Sequence, residues 1–150
     1  MGIIKMKNLL MLLALSLILC SCATTPIRLQ EATAVPAARI YFNKKPSTAN
    51  PARAIFVRDV GFTGRGVYQH VYINGERAAS LAVGERFDVH LDPGDYIFGV
   101  MPTDPFGSHA MYSIDQTLIA DKSYFYRILI DGNSMTSRIH RYVPGSPGNP

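Results

Sequence analysis

The chain has 150 residues, of which 17% are charged, and its formal net charge is +4. This length suits a single domain once an N-terminal signal is set aside. Because the lysines and arginines form no polybasic run, the composition argues against a nucleic-acid partner.

The first 21 residues have the order of a secretory signal peptide. Lys5 and Lys7 precede an almost wholly apolar run from Leu9 to Leu19, and small or polar residues follow it. The run is too short for a permanent transmembrane helix, which needs roughly 20 apolar residues. Residues 1–21 are therefore predicted to form an N-terminal signal helix that is cleaved on export.

The spacing around the second cysteine resembles the bacterial lipoprotein signal. That signal has a branched apolar residue three positions before the modified cysteine and a small residue directly before it, and Leu19 and Ser21 match these positions for Cys22. Cys20 does not match, because Leu19 is too large for the position before the cut. The resemblance implies that Cys22 carries the lipid anchor, including palmitate. Ala23 in the next position, rather than aspartate, implies the outer membrane and a domain that faces the periplasm.

Two alternatives concern the cysteines. In an ordinary export signal, neither cysteine is modified. In the lipoprotein interpretation, the mature chain has no thiol left for a disulfide, so its core alone must stabilise the fold.

The segments that flank the predicted domain lack sustained periodicity. Residues 22–37 contain two prolines and are predicted to be a flexible tether between the anchor and the domain. Residues 143–150 are rich in proline and glycine and are predicted to be a disordered tail. The folded domain is expected to span residues 38–142.

Short bursts of Val, Ile, Tyr and Phe, separated by turn residues, are typical of an all-β domain. Phe87, Val89 and Leu91 alternate with polar residues, so that strand should have one buried face and one wet face. The whole pattern predicts an antiparallel β-sandwich of eight to nine strands. The predicted strands are 38–42, 53–59, 67–73, 76–82, 86–91, 96–101, 112–119, 123–130 and 136–142.

Three turns have recognisable chemistry. Asn74-Gly75 fits a type I′ hairpin turn, because both residue types tolerate positive φ. Asp92-Pro93-Gly94-Asp95 places proline and glycine where a turn requires their backbone angles. Asp131-Gly132-Asn133 is a third candidate hairpin.

These strands and turns resemble the small bacterial lipoproteins built on domain of unknown function 2846. That family has an initial Ala-Arg-Ile-Tyr strand, an Asn/Asp-Gly hairpin, a Leu-x-x-Gly step, a Pro-Gly-x-Tyr turn and a Lys-x-Tyr-aromatic-x-Arg strand. The connections at 43–51 and 102–110 depart from the family pattern. The resemblance implies a compact β-sandwich without an established enzymatic activity. The matching positions are Ala38–Tyr41, Tyr72–Gly75, Leu81–Gly84, Pro93–Tyr96 and Lys122–Arg127.

The sequence offers little catalytic or metal-binding chemistry. Ser108 and His109 are adjacent in a Pro/Gly-rich stretch, with Asp104 nearby, and they are the basis for an alternative function as a small periplasmic hydrolase. Adjacent side chains on an extended chain point to opposite sides, which favours a solvated loop instead. His70 and His90 supply at most half of a zinc site. No cofactor or metal is therefore predicted.

Tyrosines are the remaining feature with functional potential. Tyr68 and Tyr72 share one side of a predicted strand, and Tyr124 and Tyr126 share one side of another. They are interpreted either as ordinary core packing or as an exposed binding face for an envelope protein or a cell-wall glycan. The predicted function is a non-enzymatic, lipid-anchored envelope lipoprotein whose sandwich is an interaction or structural module.

Overall fold

The computed structural model describes residues 25–61, 64–103, 110–131 and 136–146. The signal peptide, Cys22, and the Ser108 and His109 pair lie outside these residues, as do 147–150 of the predicted tail. The described parts contain a 3-10 helix at Ala37–Arg39 and nine strands. The strands are β1 (Thr33–Ala34), β2 (Ala52–Arg58), β3 (Gln69–Ile73), β4 (Glu76–Leu81), β5 (Glu85–Leu91), β6 (Gly94–Pro102), β7 (Tyr112–Leu118), β8 (Ser123–Ile130) and β9 (Ser137–Tyr142).

The strands form two packed sheets, which confirms the predicted all-β sandwich. One sheet has the order β1-β5-β2-β8-β9 and the other has the order β4-β3-β6-β7. Most neighbouring strands are antiparallel, whereas β2 pairs with β8, and β1 with β5, in parallel. Because β2 and β8 are parallel, both end at the same edge of the sandwich.

The core lies between the inward faces of the two sheets. The burial predicted for Phe87, Val89 and Leu91 is confirmed, since all three are buried while Asp88 and His90 are exposed. Four aromatic rings form the centre of this core and come from both sheets. They belong to Phe56, Phe87, Phe98 and Tyr126.

The predicted Asn74-Gly75 hairpin is confirmed, because it joins β3 to β4 with φ of 50° and 82°. Gly94 also has a positive φ, 146°, at the second predicted turn. The third hairpin closes with a backbone hydrogen bond from Asp131 to Thr136, although the residues between them lie outside the described part of the chain.

Gly75→Ala is expected to lower the free energy of unfolding by about 1–2 kcal/mol, because a left-handed backbone is strained for an L residue with a Cβ. A Cβ at Gly75 meets no atom of the described residues within 4 Å, so the expected cost is backbone strain. Gly66→Ala is the matched control, because its surroundings are equally open and its φ lies outside the left-handed region. Urea unfolding should place Gly66→Ala within about 0.5 kcal/mol of the parent, and equal losses in both variants would contradict this account.

The first predicted strand, 38–42, is wrong. The chain there forms the 3-10 helix Ala37–Arg39, and Ile40 makes an isolated bridge to Ala79. The next two amide groups donate to the carbonyl of Ala78 at 2.8 and 3.1 Å. This segment therefore covers the outer edge of β4, which would otherwise expose unpaired backbone groups. The other eight predicted strands are present, with ends shifted by at most two residues.

The flexible tether predicted for 22–37 is also wrong over its described part. Thr25 forms an antiparallel bridge with Val60, and β1 pairs with β5. Ala32, which is buried, packs with Ile55 and Val57 on the outer side of the five-stranded sheet. We call Thr25–Val35 the strap, because it covers that outer side.

A buried ion pair lies beneath the strap. The carboxylate of Asp59 contacts the guanidinium of Arg127, and their side chains are only 3% and 2% exposed. The Ile27 amide donates to Asp59, and the Ile27 carbonyl accepts from Arg127, both at 3.3 Å. The guanidinium also stacks on Tyr142, 4.4 Å from the ring centroid. The backbone of the strap and the buried ion pair therefore satisfy part of each other's hydrogen-bonding capacity.

Arg58, the last residue of β2, points into the sandwich. Its guanidinium donates to the carbonyl oxygens of Val67, Leu81 and Gly64 at 2.6, 2.8 and 2.7 Å. Burial lowers the pKa of Arg58 to about 10, so the group remains protonated at neutral pH. Arg58 thereby binds the 64–67 segment to the end of the sandwich at which β2 terminates.

Candidate functional site

The two sheets differ in how their outer sides are covered. The strap covers the five-stranded sheet, whereas the outer side of the four-stranded sheet carries exposed aromatic and apolar side chains. We call this second surface the open face. It is formed by Tyr41, Tyr68, His70, Tyr72, Arg77, Ser80, Ile97, Gly99, Met101 and Met111.

The strand pattern explains these positions. Gln69, Val71 and Ile73 of β3 point into the core, so the residues between them point outward. On β6, the same alternation buries Phe98 and leaves Ile97 exposed. Four side chains give the open face its exposed apolar area, with exposed fractions of 44% for Tyr41, 43% for Tyr68, 51% for Ile97 and 46% for Met111.

The prediction that four tyrosines form one binding face is therefore wrong for two of them. Tyr68 and Tyr72 lie on the open face, but Tyr124 and Tyr126 belong to β8 of the other sheet and are buried in the core. The Tyr124 hydroxyl oxygen accepts a hydrogen bond from the amide of Ile119 at 2.9 Å. Burial raises the pKa of Tyr126 well above its usual range. Both rings lie on the inward side of β8, and β8 is a central strand between β2 and β9 that packs against the opposite sheet.

Tyr41 is an open-face residue that the sequence analysis assigned to a strand and did not identify as a binding residue. Its ring lies under the guanidinium of Arg77, 4.3 Å from the centroid. The guanidinium of Arg39 covers the ring of Tyr68 in the same way, at 4.8 Å. Arg39 is itself held by Glu85 through two contacts of 2.5 and 2.7 Å, which raise its pKa. The tyrosine rings are thus fixed in place by cations.

Gly99 allows a close approach on the open face. A Cβ at this position would lie 2.5 Å from the Sδ atom of Met111, so the methionine side chain rests directly on the glycine backbone. The apolar centre of the open face therefore depends on the missing side chain at position 99.

A serine and a histidine meet at the edge of the open face. The Ser80 hydroxyl lies 2.8 Å from Nδ1 of His70, and the Thr103 hydroxyl lies 3.0 Å from Nε2. A catalytic triad requires a carboxylate at the second ring nitrogen and an accessible hydroxyl, whereas here that nitrogen meets a hydroxyl and Ser80 is only 2% exposed. The contact is a chain of neutral hydrogen bonds that joins β3, β4 and the end of β6.

The structure does not bring the two candidate zinc histidines together. His70 is on β3 and His90 is on β5, so the two strands belong to different sheets. Within the described residues, no three side chains of His, Cys, Asp or Glu are grouped so as to hold a metal ion. The alternative catalytic pair, Ser108 and His109, lies outside those residues.

The His70 contacts predict a pH dependence of stability. Burial, and then the nearby Arg77, lower the pKa of His70 below its usual value of 6.5. Between the lowered pKa and 6.5, the unfolded chain binds more protons than the folded chain, so the free energy of unfolding should fall as the pH drops below 6.5. Replacing His70 with Gln should flatten this fall, as measured by urea unfolding between pH 7.5 and 5.5.

The control for this prediction is His90→Gln, which changes an exposed histidine on β5. That variant should keep the pH dependence of the parent. An unchanged pH dependence in His70→Gln would show that another group causes it.

A second surface feature lies at the end of the sandwich where β2 begins, opposite to the end where β2 terminates. It is an open cleft of about 400 Å³ between the 43–51 connection and the ends of the strands. Its charged groups are largely paired, since Lys44 binds Glu76 at 2.7 Å and Asp92 accepts four hydrogen bonds of 2.8–3.1 Å from Ser47 and Thr48. These bonds lower the pKa of Asp92, so its carboxylate anchors the connection.

In the described part of the chain, the all-β sandwich has one outer surface that the strap covers and one, the open face, that carries exposed aromatic and apolar side chains. No protein-family model matches the chain, and no curated protein matches it. The resemblance to domain of unknown function 2846 therefore stays a prediction from strand and turn motifs. None of the helical segments within the described residues is long and apolar enough to cross a membrane.

Proposed function

We propose that this protein is a non-enzymatic lipoprotein of the bacterial envelope, held in the outer membrane by a lipid anchor on Cys22, and that its open face binds a partner protein in the periplasm. The observation that carries the binding proposal is the difference between the two outer surfaces. The chain covers one of them with its own strap and leaves exposed aromatic and apolar side chains on the other. Exposed apolar clusters commonly mark interaction sites.

The composition of the open face favours a protein over a glycan. Protein interfaces are enriched in Tyr, Met and Arg, and Tyr41, Tyr68, Met111 and Arg77 supply these types together. Sugar rings bind by stacking on free aromatic faces. Arg77 and Arg39 already occupy one side of Tyr41 and Tyr68, which reduces the area available for a sugar.

The Ser80–His70 contact supports a structural role more than hydrolysis. The hydroxyl is buried, and no carboxylate partner of the imidazole is present among the contacts of these described residues. A base without such a partner gains no stabilisation for the imidazolium that forms during catalysis.

The anchor is tested by labelling cells with palmitate. Cys22→Ser is expected to abolish the incorporation of label, and Cys20→Ser is expected to leave it unchanged. Label on the Cys22→Ser variant would refute the lipid anchor at this position.

The open face is tested by mild crosslinking and co-purification from the detergent-solubilised envelope. Ile97→Glu places a charge on the open face and should reduce the yield of the crosslinked partner by more than about fivefold. Ile119→Glu is the matched control, because Ile119 is also an exposed isoleucine, 58% against 51%, but lies outside the open face. The control should crosslink like the parent.

Equal yields of the crosslinked partner from the two isoleucine variants would contradict the proposed role of the open face. Retention on peptidoglycan that is lost only in Ile97→Glu would show that the partner is a glycan rather than a protein. Circular dichroism of both variants checks that the sandwich remains folded.

A further inference from the structure

The strap is bound to the domain from its first described residue. Thr25 and Val60 exchange two backbone hydrogen bonds of 2.7 and 3.1 Å. Two residues later, the backbone of Ile27 binds both members of the buried Asp59–Arg127 pair. The chain is therefore fixed to the end of the sandwich at Thr25.

This attachment limits the distance between the domain and a lipid anchor. Cys22 lies three residues before Thr25, and an extended chain spans at most about 3.6 Å per residue, so the separation is at most about 11 Å. A flexible tether over 22–37 would have allowed about 50 Å. The strap removes most of that freedom.

The strap also determines which end of the sandwich is near the anchor. Val60 follows the end of β2, and the parallel strand β8 ends at the same edge. The amide of Gly84 donates to the carbonyl of Arg58 there, and Arg58 holds the segment that carries exposed Arg65. We call this the anchored end, formed by Thr25, Val60, Arg65 and Gly84.

We infer that the mature lipoprotein lies directly against the bilayer with its anchored end toward the lipid headgroups. This inference rests on the proposed lipidation of Cys22. Exposed Arg65 places a guanidinium at that end, and cations near a membrane surface are attracted to anionic headgroups. The strands then run away from the membrane, and the open face forms a side of the domain rather than the surface that meets the bilayer. A partner on the open face is bound within about 30 Å of the bilayer, the length of the nine-residue strand β6.

The orientation is tested by energy transfer from a dye on the protein to acceptor-labelled lipids. The lipidated protein is placed in vesicles of phosphatidylethanolamine and phosphatidylglycerol. The mature lipoprotein has no free thiol, because Cys20 is removed and Cys22 is blocked, so a thiol-reactive dye labels only an introduced cysteine. The near site is Gly66→Cys, where a Cβ meets no atom of the described residues within 4 Å. The far site is Lys122→Cys, directly before the eight-residue strand β8.

Transfer from the Gly66 site is expected to exceed transfer from the Lys122 site by at least about twofold, because β8 separates the two ends by about 25 Å. Equal transfer from the two sites in lipidated protein would overturn the orientation while leaving the lipid anchor intact. Protein that takes up no palmitate and keeps a free thiol at Cys22 would refute the anchor, and with it this orientation.

A linker variant tests the cause of the orientation. Inserting about 20 Gly and Ser residues between Cys22 and Thr25 gives a flexible chain that lets the domain tumble away from the membrane. The difference between the near and far sites should then disappear. A difference that persists with the linker would contradict the claim that the strap sets the orientation.

Discussion

Phe56→Ala is expected to lower the free energy of unfolding by about 3–5 kcal/mol, because it removes a whole ring from a closely packed core. Phe56 is fully buried, and its ring centroid lies 6.1, 5.1 and 5.0 Å from those of Phe87, Phe98 and Tyr126. These neighbours come from both sheets and are held by their strands, so they cannot collapse into the space. Since small domains are stable by only about 5–15 kcal/mol, the loss is a large fraction of the total.

Urea unfolding followed by far-ultraviolet circular dichroism measures this loss, since the chain has no tryptophan. Ile97→Ala, which removes an exposed isoleucine from the open face, should change the stability by no more than about 0.5 kcal/mol. A loss below about 1 kcal/mol for Phe56→Ala would show that the core repacks around the missing ring.

Asp59→Ala is expected to lower the free energy of unfolding by about 3–5 kcal/mol, because it leaves the Arg127 guanidinium buried without its counter-charge. The same change removes the acceptor for the Ile27 amide. The strap should loosen as a result, and trypsin should then cut faster after exposed Arg28. Urea unfolding and limited proteolysis measure the two effects.

Two comparisons isolate the buried pair. Asp59→Ala combined with Arg127→Met removes both charges and should recover at least about 2 kcal/mol of the loss. Asp88→Ala breaks the exposed pair between Asp88 and Arg53 on the same sheet and should cost less than about 1 kcal/mol. Similar losses for Asp59→Ala and Asp88→Ala would contradict a special role of burial.

The Ser80–His70 contact could not be predicted from the sequence, because it depends on a shift in strand register. The Asn74-Gly75 turn is readable, and counting back from it pairs Tyr72 with Arg77 as observed. The same count would place His70 opposite Ala79. An extra residue in β4, a β-bulge, shifts the register by one and puts Ser80 there instead. Nothing in the local sequence marks that insertion.

The sequence does not predict the pairing of the strap or decide the burial of Tyr124 and Tyr126, for two different physical reasons. Residues 25–35 lack periodicity because they pair mainly through backbone groups, with the edge of β5 and with Val60, and backbone pairing leaves little trace in side-chain types. The alternation of Tyr124 and Tyr126 shows that they share a face of β8. It cannot show which face, because Arg127 on the opposite side is also buried.

The amino-acid sequence by itself determined the all-β class, the hairpin at Asn74-Gly75 and the buried side of β5, because strand periodicity and turn chemistry act over a few residues. The tertiary structure decided what lies outside each sheet: the strap covers one surface, and the other remains open with Tyr41, Tyr68 and Met111 exposed. That difference depends on contacts such as Ile27 with Arg127, whose positions are 100 residues apart. Local patterns hold no record of such contacts, because they form only once the whole chain has packed.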